Sequence, residues 1–154
     1  MRAIVKMYFT LTVEIAGQNR CNLLTHRSII MATLDLDENS STYQVRSYQP
    51  GRIQINEAIY SESIIITPHT LIEHWQPQTV AAITTESLQP LLELKPDILL
   101  IGTGAELVFL ALSLYGDLIN HGIGVEIMDS SAAARTFNAL SAEGRNVAAA
   151  LIIR

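Results

Sequence analysis

The chain has 154 residues, of which 49% are apolar and 16% charged, the composition of a folded protein with a modest core and not of a disordered one. Its net charge of -5 excludes the overall basic footprint of a nucleic-acid-binding protein. A single cysteine, Cys21, excludes a disulfide framework and a cysteine-based zinc site.

The charge is uneven. Residues 1–31 hold four basic side chains against Glu14, a net +3, and residues 32–154 hold six basic against fourteen acidic ones, a net -8. With the change of pattern at Met31, this predicts an N-terminal extension over 1–31 that is non-native or disordered. After it come a flexible lead-in over 32–42 and a single β/α domain over 43–154. Met31 is the expected native start. A basic targeting or partner-binding arm is the rival reading, within which Leu11, Val13 and Ile15 alternate as in a short strand. Glu14 interrupts the weakly apolar stretch from Met7 to Ala16, so no secretory signal stands out, and a cytoplasmic protein is expected.

Tyr43 to Tyr48 alternates as a strand. Pro50-Gly51 signals a turn, Ile53 and Ile55 share one face of the next strand, and Ala58 to Tyr60 continues it after a bend at Asn56-Glu57. Ser63 to Thr67 is a short β-branched strand ended by Pro68, and Leu71 to Trp75 is a further candidate. Connections this short hold no helical crossover, so these strands should pair antiparallel. A short helix is predicted over Glu86–Leu94, capped by Thr84 or Thr85 and stopped by Pro96.

The C-terminal part changes period. Asp97 to Ile101 is a continuous apolar strand, the pattern of one covered on both faces. After Gly102-Thr103-Gly104 a helix runs from about Ala111 to His121, with Ala111, Leu114, Leu118 and Ile119 as its apolar stripe. Gly124 to Met128 reads as the next buried strand. Asp129 or Ser130 caps a helix over Ser131–Glu143, and Val147 to Ile153 is the last strand. The alternation predicts an α/β fold with largely parallel strands and right-handed crossovers. The apolar run Ile98 to Ile119 is not expected to span a membrane, because three glycines break it and Glu106 and Asp117 would each cost about 3 kcal/mol in hydrocarbon.

Ligands of open parallel sheets sit beyond the carboxyl ends of the strands. Two such ends are legible, Gly102-Thr103-Gly104 and Asp129-Ser130-Ser131. Free backbone N–H groups there could bind an anion; alternatively the glycines make a tight turn and Asp129 or Ser130 caps a helix. There is no third glycine for a dinucleotide fingerprint and no Gly-Lys-Ser/Thr for a P-loop. Arg135 reaches an anion or the loop, or pairs with an acid. His69 and His74 are spaced wrongly for a metal site, and no Ser/His/acid set suggests itself. No catalytic residue, metal or cofactor is therefore expected. Trp75 is an interface anchor or a core aromatic.

Three stretches resemble a known family: YQPGRIQINEAIYSESIII from Tyr48 to Ile66, PDILLIGTG from Pro96 to Gly104, and GIGVEIMDSSAAARTFNALSAEGRNVAAALI from Gly122 to Ile152. They are similar to the small β/α family of the mitochondrial complex I assembly factor 3 and the adipogenesis-associated domain protein, with many uncharacterised bacterial members. The combination of P-D-x-L-x-x-G-T-G, G-x-G-V-E-x-M-D and A-x-R-T-x-N carries the resemblance, over residues 43–153. It implies a compact domain with a central mixed, mostly parallel sheet, helices on one side and an extra antiparallel β layer. It implies a non-enzymatic accessory role through protein partners such as respiratory-complex or membrane-insertion components. The matching positions Gly102, Thr103, Gly104, Glu126, Asp129, Arg135, Thr136, Asn138 and Arg145, with Glu143 and Gly144, would form a ligand or partner edge. Two departures stand out. Ala134 occupies a position where the family often has cysteine, and Phe109 is followed by Leu110-Ala111-Leu112 where proline-containing sequence is usual. The second functional reading is a small-molecule or anion-binding protein, with or without enzymatic activity, using the edge at Gly102–Gly104 and Asp129–Arg135. The accessory reading predicts instead an exposed apolar patch including Trp75 or Phe109. Oligomeric state stays open.

Overall fold

The computed structural model describes residues 42–154; the expectations for 1–31, for the lead-in up to residue 41 and for the Leu11–Ile15 strand lie outside them. The first three strands, β1 (Val45–Gln49), β2 (Arg52–Ile55) and β3 (Ala58–Tyr60), form an antiparallel sheet in that order. Alternation decides its faces: Ile53 and Ile55 are buried while Arg52 is exposed. Asn56 adopts a left-handed backbone at the β2–β3 turn, where asparagine is among the best tolerated non-glycine residues. Its side chain accepts from Gln44 N and donates to Thr42 O.

The second sheet has five strands, β4 (Ile64–Ile66), β5 (Leu71–Ile72), β6 (Ile98–Gly102), β7 (Gly124–Met128) and β8 (Val147–Leu151), in the order β5-β4-β8-β6-β7. β7, β6 and β8 are parallel, and β4 pairs antiparallel with both β8 and β5. Three helices complete the fold: α1 (Gln89–Leu94), α2 (Leu112–Asn120) and α3 (Ser130–Ala142). A 3-10 turn over Glu86–Leu88 leads into α1. Thr85 precedes it at the cap position without a side-chain cap bond, and Thr84 before that exchanges hydrogen bonds with Ser87.

The handedness of the crossovers decides where the helices lie. From β6 the chain steps outward through α2 to β7, then back over β6 through α3 to β8. Both crossovers can be right-handed only if α2 and α3 lie on opposite faces. The core divides accordingly. Phe137, Ala133 and Ala134 of α3 pack with Val45, Ile53 and Ile55 of the antiparallel layer against Ile64, Ile66, Leu100, Ala149 and Leu151. On the other face Leu91, Leu118, Trp75 and Ile83 pack against Ile65, Leu99, Ile101, Ala148 and Ala150. The expected mixed sheet and antiparallel layer are present, and α3 shares that layer's face. Small residues on β8 let α3 approach closely, and β8 is fully buried.

Two local expectations shift, and one open reading is decided. β7 is only half-buried and Glu126 is exposed, because β7 is the edge strand of its sheet. Ile119 is 46% exposed, since α2 touches the core through the narrower stripe of Leu114, Tyr115 and Leu118. Trp75 lies beyond β5 and is 4% exposed, with its indole N–H on Ser87 O at 2.8 Å. It is a core aromatic and not an interface anchor.

Candidate functional site

The sheet order reverses at β6, and the crevice beyond its carboxyl end is where doubly wound sheets hold ligands. Here the chain fills that crevice itself. Ser130, fully buried at the start of α3, accepts a hydrogen bond from Gly104 N (2.8 Å) and donates to Ile152 O. Ser130 N donates to Gly104 O and Thr103 N to Met128 O. Asp129 is the helix cap, its carboxylate accepting from Ala132 N at 2.7 Å. Thr103 N, Gly104 N, Ser130 N and Ala132 N, backbone donors of the edge expected to bind an anion, are thus engaged within the protein. Gly104 needs its glycine identity, with φ +97 and a built Cβ only 2.6 Å from Arg154 O.

Thr103 is 5% exposed and organises the loop on its C-terminal side. Its hydroxyl shares its hydrogen between Glu106 O (2.7 Å) and Met128 O (3.1 Å) and accepts from Val108 N. The loop between β6 and α2 is therefore fixed at its base. From this base Leu107, Val108 and Phe109 project, with Phe109 80% exposed, while Leu110 turns back into the core. Leu112 and, seven residues on, Ile119 continue the apolar surface along the outer face of α2. Of this surface only Phe109 was anticipated; the unbroken apolar run Leu107–Leu112, without helical period, is the signal that marks the rest.

The remaining anticipated residues fall in three places. Arg135 lies on the exposed side of α3, its guanidinium donating to Ser131 Oγ at 2.6 Å. It lines a groove of ≈ 270 Å³ between α3 and β1, together with Arg46, Tyr48 and Asn138. Asn138 is engaged there: its amide accepts from Val45 N (3.0 Å) and donates to Val45 O (2.7 Å), clamping β1 to the helix. Burial raises the Tyr48 phenol above its ordinary value, with the Asp129 carboxylate adding to the effect and the Ser130 hydroxyl opposing it. Thr136, half-buried on the same helix, does not line the groove. Glu126 stands apart on β7, exposed at the sheet edge. Arg145 precedes β8 at the opposite end of the sheet from Gly102. Glu143 and Gly144 lie with it at the end of α3.

These features define a small α/β protein whose switch-point crevice is closed from within and whose adjoining loop presents apolar side chains to solvent. Residues 45–152 match the family described as "protein of unknown function (DUF498/DUF598)", and the chain belongs to that family. It is 35% identical over 118 residues to the NADH dehydrogenase [ubiquinone] 1 alpha subcomplex assembly factor 3 of Danio rerio, covering 75% of this chain and 67% of that protein. Against the protein of the same name from Homo sapiens the identity is 31% over 117 residues, 75% of this chain and 63% of the relative. A "13 kDa major membrane protein" of Francisella tularensis is 28% identical over 123 residues, 79% of this chain and the whole of that protein. Among solved structures, a Bordetella parapertussis protein is 39% identical with a TM-score of 0.69, covering 73% of this chain and 96% of the other. A Mth938-like domain from Bordetella pertussis is 31% identical with a TM-score of 0.66, covering 75% and 87%. Among the described residues no helix is long and apolar enough to cross a membrane.

Proposed function

We propose that the protein is a non-enzymatic accessory factor that docks a protein partner on the surface built by Leu107, Val108, Phe109, Leu112 and Ile119. The observation that carries this reading is Phe109, 80% exposed in a loop whose base Thr103 holds in place. Large apolar side chains displayed together on a fixed support lower the ordering cost of association. The relatives named as assembly factors of NADH dehydrogenase make components of a respiratory complex the favoured partners, with membrane-insertion components as the other candidates. On this reading the protein works in the cytoplasm and meets its partner at the membrane surface.

The test is a crosslinked pull-down of the full chain from its own host, compared with Phe109→Asp and Leu112→Asp. Enrichment of respiratory-complex or membrane-insertion proteins that both variants abolish supports the reading. Recovery of the same proteins by folded variants refutes it. A second reading, anion binding in the groove beside Asp129–Arg135, is favoured by Arg46 and Arg135 lining one groove with no ion pair to either among the described residues. Arg135→Ala should then fold normally and lose phosphate or carboxylate binding; an unchanged thermal shift with these anions would dismiss it.

A further inference from the structure

At the opposite end of the sheet, between the β4–β5 turn and the α3–β8 connection, lies a cleft of ≈ 340 Å³. It is lined by Thr67, His69 and Thr70 of the turn, by Leu94 at the end of α1, and by Ser141, Arg145 and Asn146. No carboxylate lines it, although the chain is acidic overall. Arg145 is exposed, and its guanidinium makes no ion pair among the described residues. Ser141 is 3% exposed, and its hydroxyl is buried with no hydrogen-bond partner. A buried hydroxyl left unpaired costs about 1–3 kcal/mol, so a donor in that state at the wall of a cleft calls for an acceptor. The protein supplies none to Ser141 Oγ, and the carbonyls that end α3 there, Ser141 O, Ala139 O and Leu140 O, already accept from Gly144 N, Glu143 N and Arg145 N.

We propose that this cleft binds a small organic oxyanion, a carboxylate or a phosphate ester, with Arg145 as the charge partner and Ser141 as a buried donor. A guanidinium offers paired N–H groups to two oxygens of such a ligand. His69 and Asn146 also line the cleft, the Asn146 amide donating to Lys95 O, and Leu94 and Pro68 add apolar lining for the ligand's carbon skeleton. The volume sits at the lower end of small-molecule sites, which run from about 300 Å³.

The test is a heteronuclear NMR titration of the full chain at constant ionic strength. Sodium phosphate, glycerol 3-phosphate and succinate form separate arms, and sodium chloride is the control. The expected result is saturable shifts at Ser141, Arg145 and Thr70 in at least one arm, which also tells phosphate from carboxylate chemistry. Arg145→Gln should weaken that binding about tenfold or more, and Ser141→Ala several-fold, as loss of a hydrogen bond to a charged group does. Both variants should retain the wild-type spectrum elsewhere. Shifts that chloride reproduces, no saturation in any arm, or unaltered affinity in both variants would each overturn the proposal.

Discussion

Gly102 and Ser130 touch so closely that no other residue fits at the first position: a built Cβ would lie 2.7 Å from Ser130 Oγ and 2.9 Å from its Cα. Backbone cannot yield as a side-chain tip can, so Gly102→Ala is expected to destabilise by about 1–3 kcal/mol. Ser130→Ala should cost about 1–3 kcal/mol for each of the two buried groups it strands, Gly104 N and Ile152 O. The pair should be non-additive, with the glycine substitution milder in the Ser130→Ala background because the nearest obstruction is gone. Urea unfolding of the four proteins measures this; strict additivity would contradict the contact.

Thr103→Val keeps the shape of the side chain and removes the hydroxyl that joins Glu106 O, Met128 O and Val108 N. A loss of about 1–2 kcal/mol is expected, together with faster amide exchange over residues 105–110. Partner capture should fall although no side chain of the apolar surface changes. Unaltered exchange in that loop would show that Thr103 does not fix it.

Asn138→Ala removes both bonds to Val45 and should destabilise by about 2 kcal/mol. Exchange protection should fall first in β1 and β2, which the clamp holds against α3. Asn138→Asp should be little better, because a carboxylate accepts from Val45 N but faces the Val45 carbonyl with no donor.

Phe109→Asp should leave stability within about 0.5 kcal/mol of wild type, as surface substitutions do. Leu110→Asp, one residue on and 9% exposed in the core, should unfold the protein. A thermal melt of both separates the display side of the loop from its anchor.

His74 Nδ1 lies 2.6 Å from Glu62 Oε2, and that hydrogen bond, with the carboxylate's charge, raises the imidazole above its ordinary value of 6.5. Because the folded value is the higher one, the pair's contribution is fully present below pH 6.5 and is lost as pH rises through the raised value. Both groups are exposed, so the effect on stability is small. The clearer readout is the titration of the His74 ring by NMR, which Glu62→Gln should return toward the ordinary value.

Much of this architecture is legible in the residues because its signals are local. Ile53 and Ile55 alternate, Pro50-Gly51 and Asn56-Glu57 turn the chain, Asp129 caps, and the apolar run from Ile98 matches a covered strand. What local patterns omit is strand order. Val125 and Ile127 look fully buried until β7 is known to be an edge, where they pack against the core only in part, and Glu126 between them is the hint. Arg145 and Arg135, ten residues apart, look like members of one site until Arg135 is seen in the groove beside β1 and Arg145 in a separate cleft past the end of α3. The switch-point loops were found by motif, but that their donors are engaged depends on Ser130 meeting Gly104 and Ile152, a three-way contact that no single stretch contains.

The position of β8 governs the order in which the protein can assemble. It is the last strand of the sequence yet lies between β4 and β6, and it carries every link between the two halves of the five-stranded sheet. Until residues 147–151 arrive, β4–β5 and β6–β7 are two separate pairs, each too small to be stable alone. Pairing between β4 and β8 spans more than eighty residues, so loop closure weighs on the folding rate. Folding is therefore all-or-none with respect to this segment, and a nascent or truncated chain lacking it exposes Ile64, Ile66, Leu100 and Ile101 as adhesive strand edges.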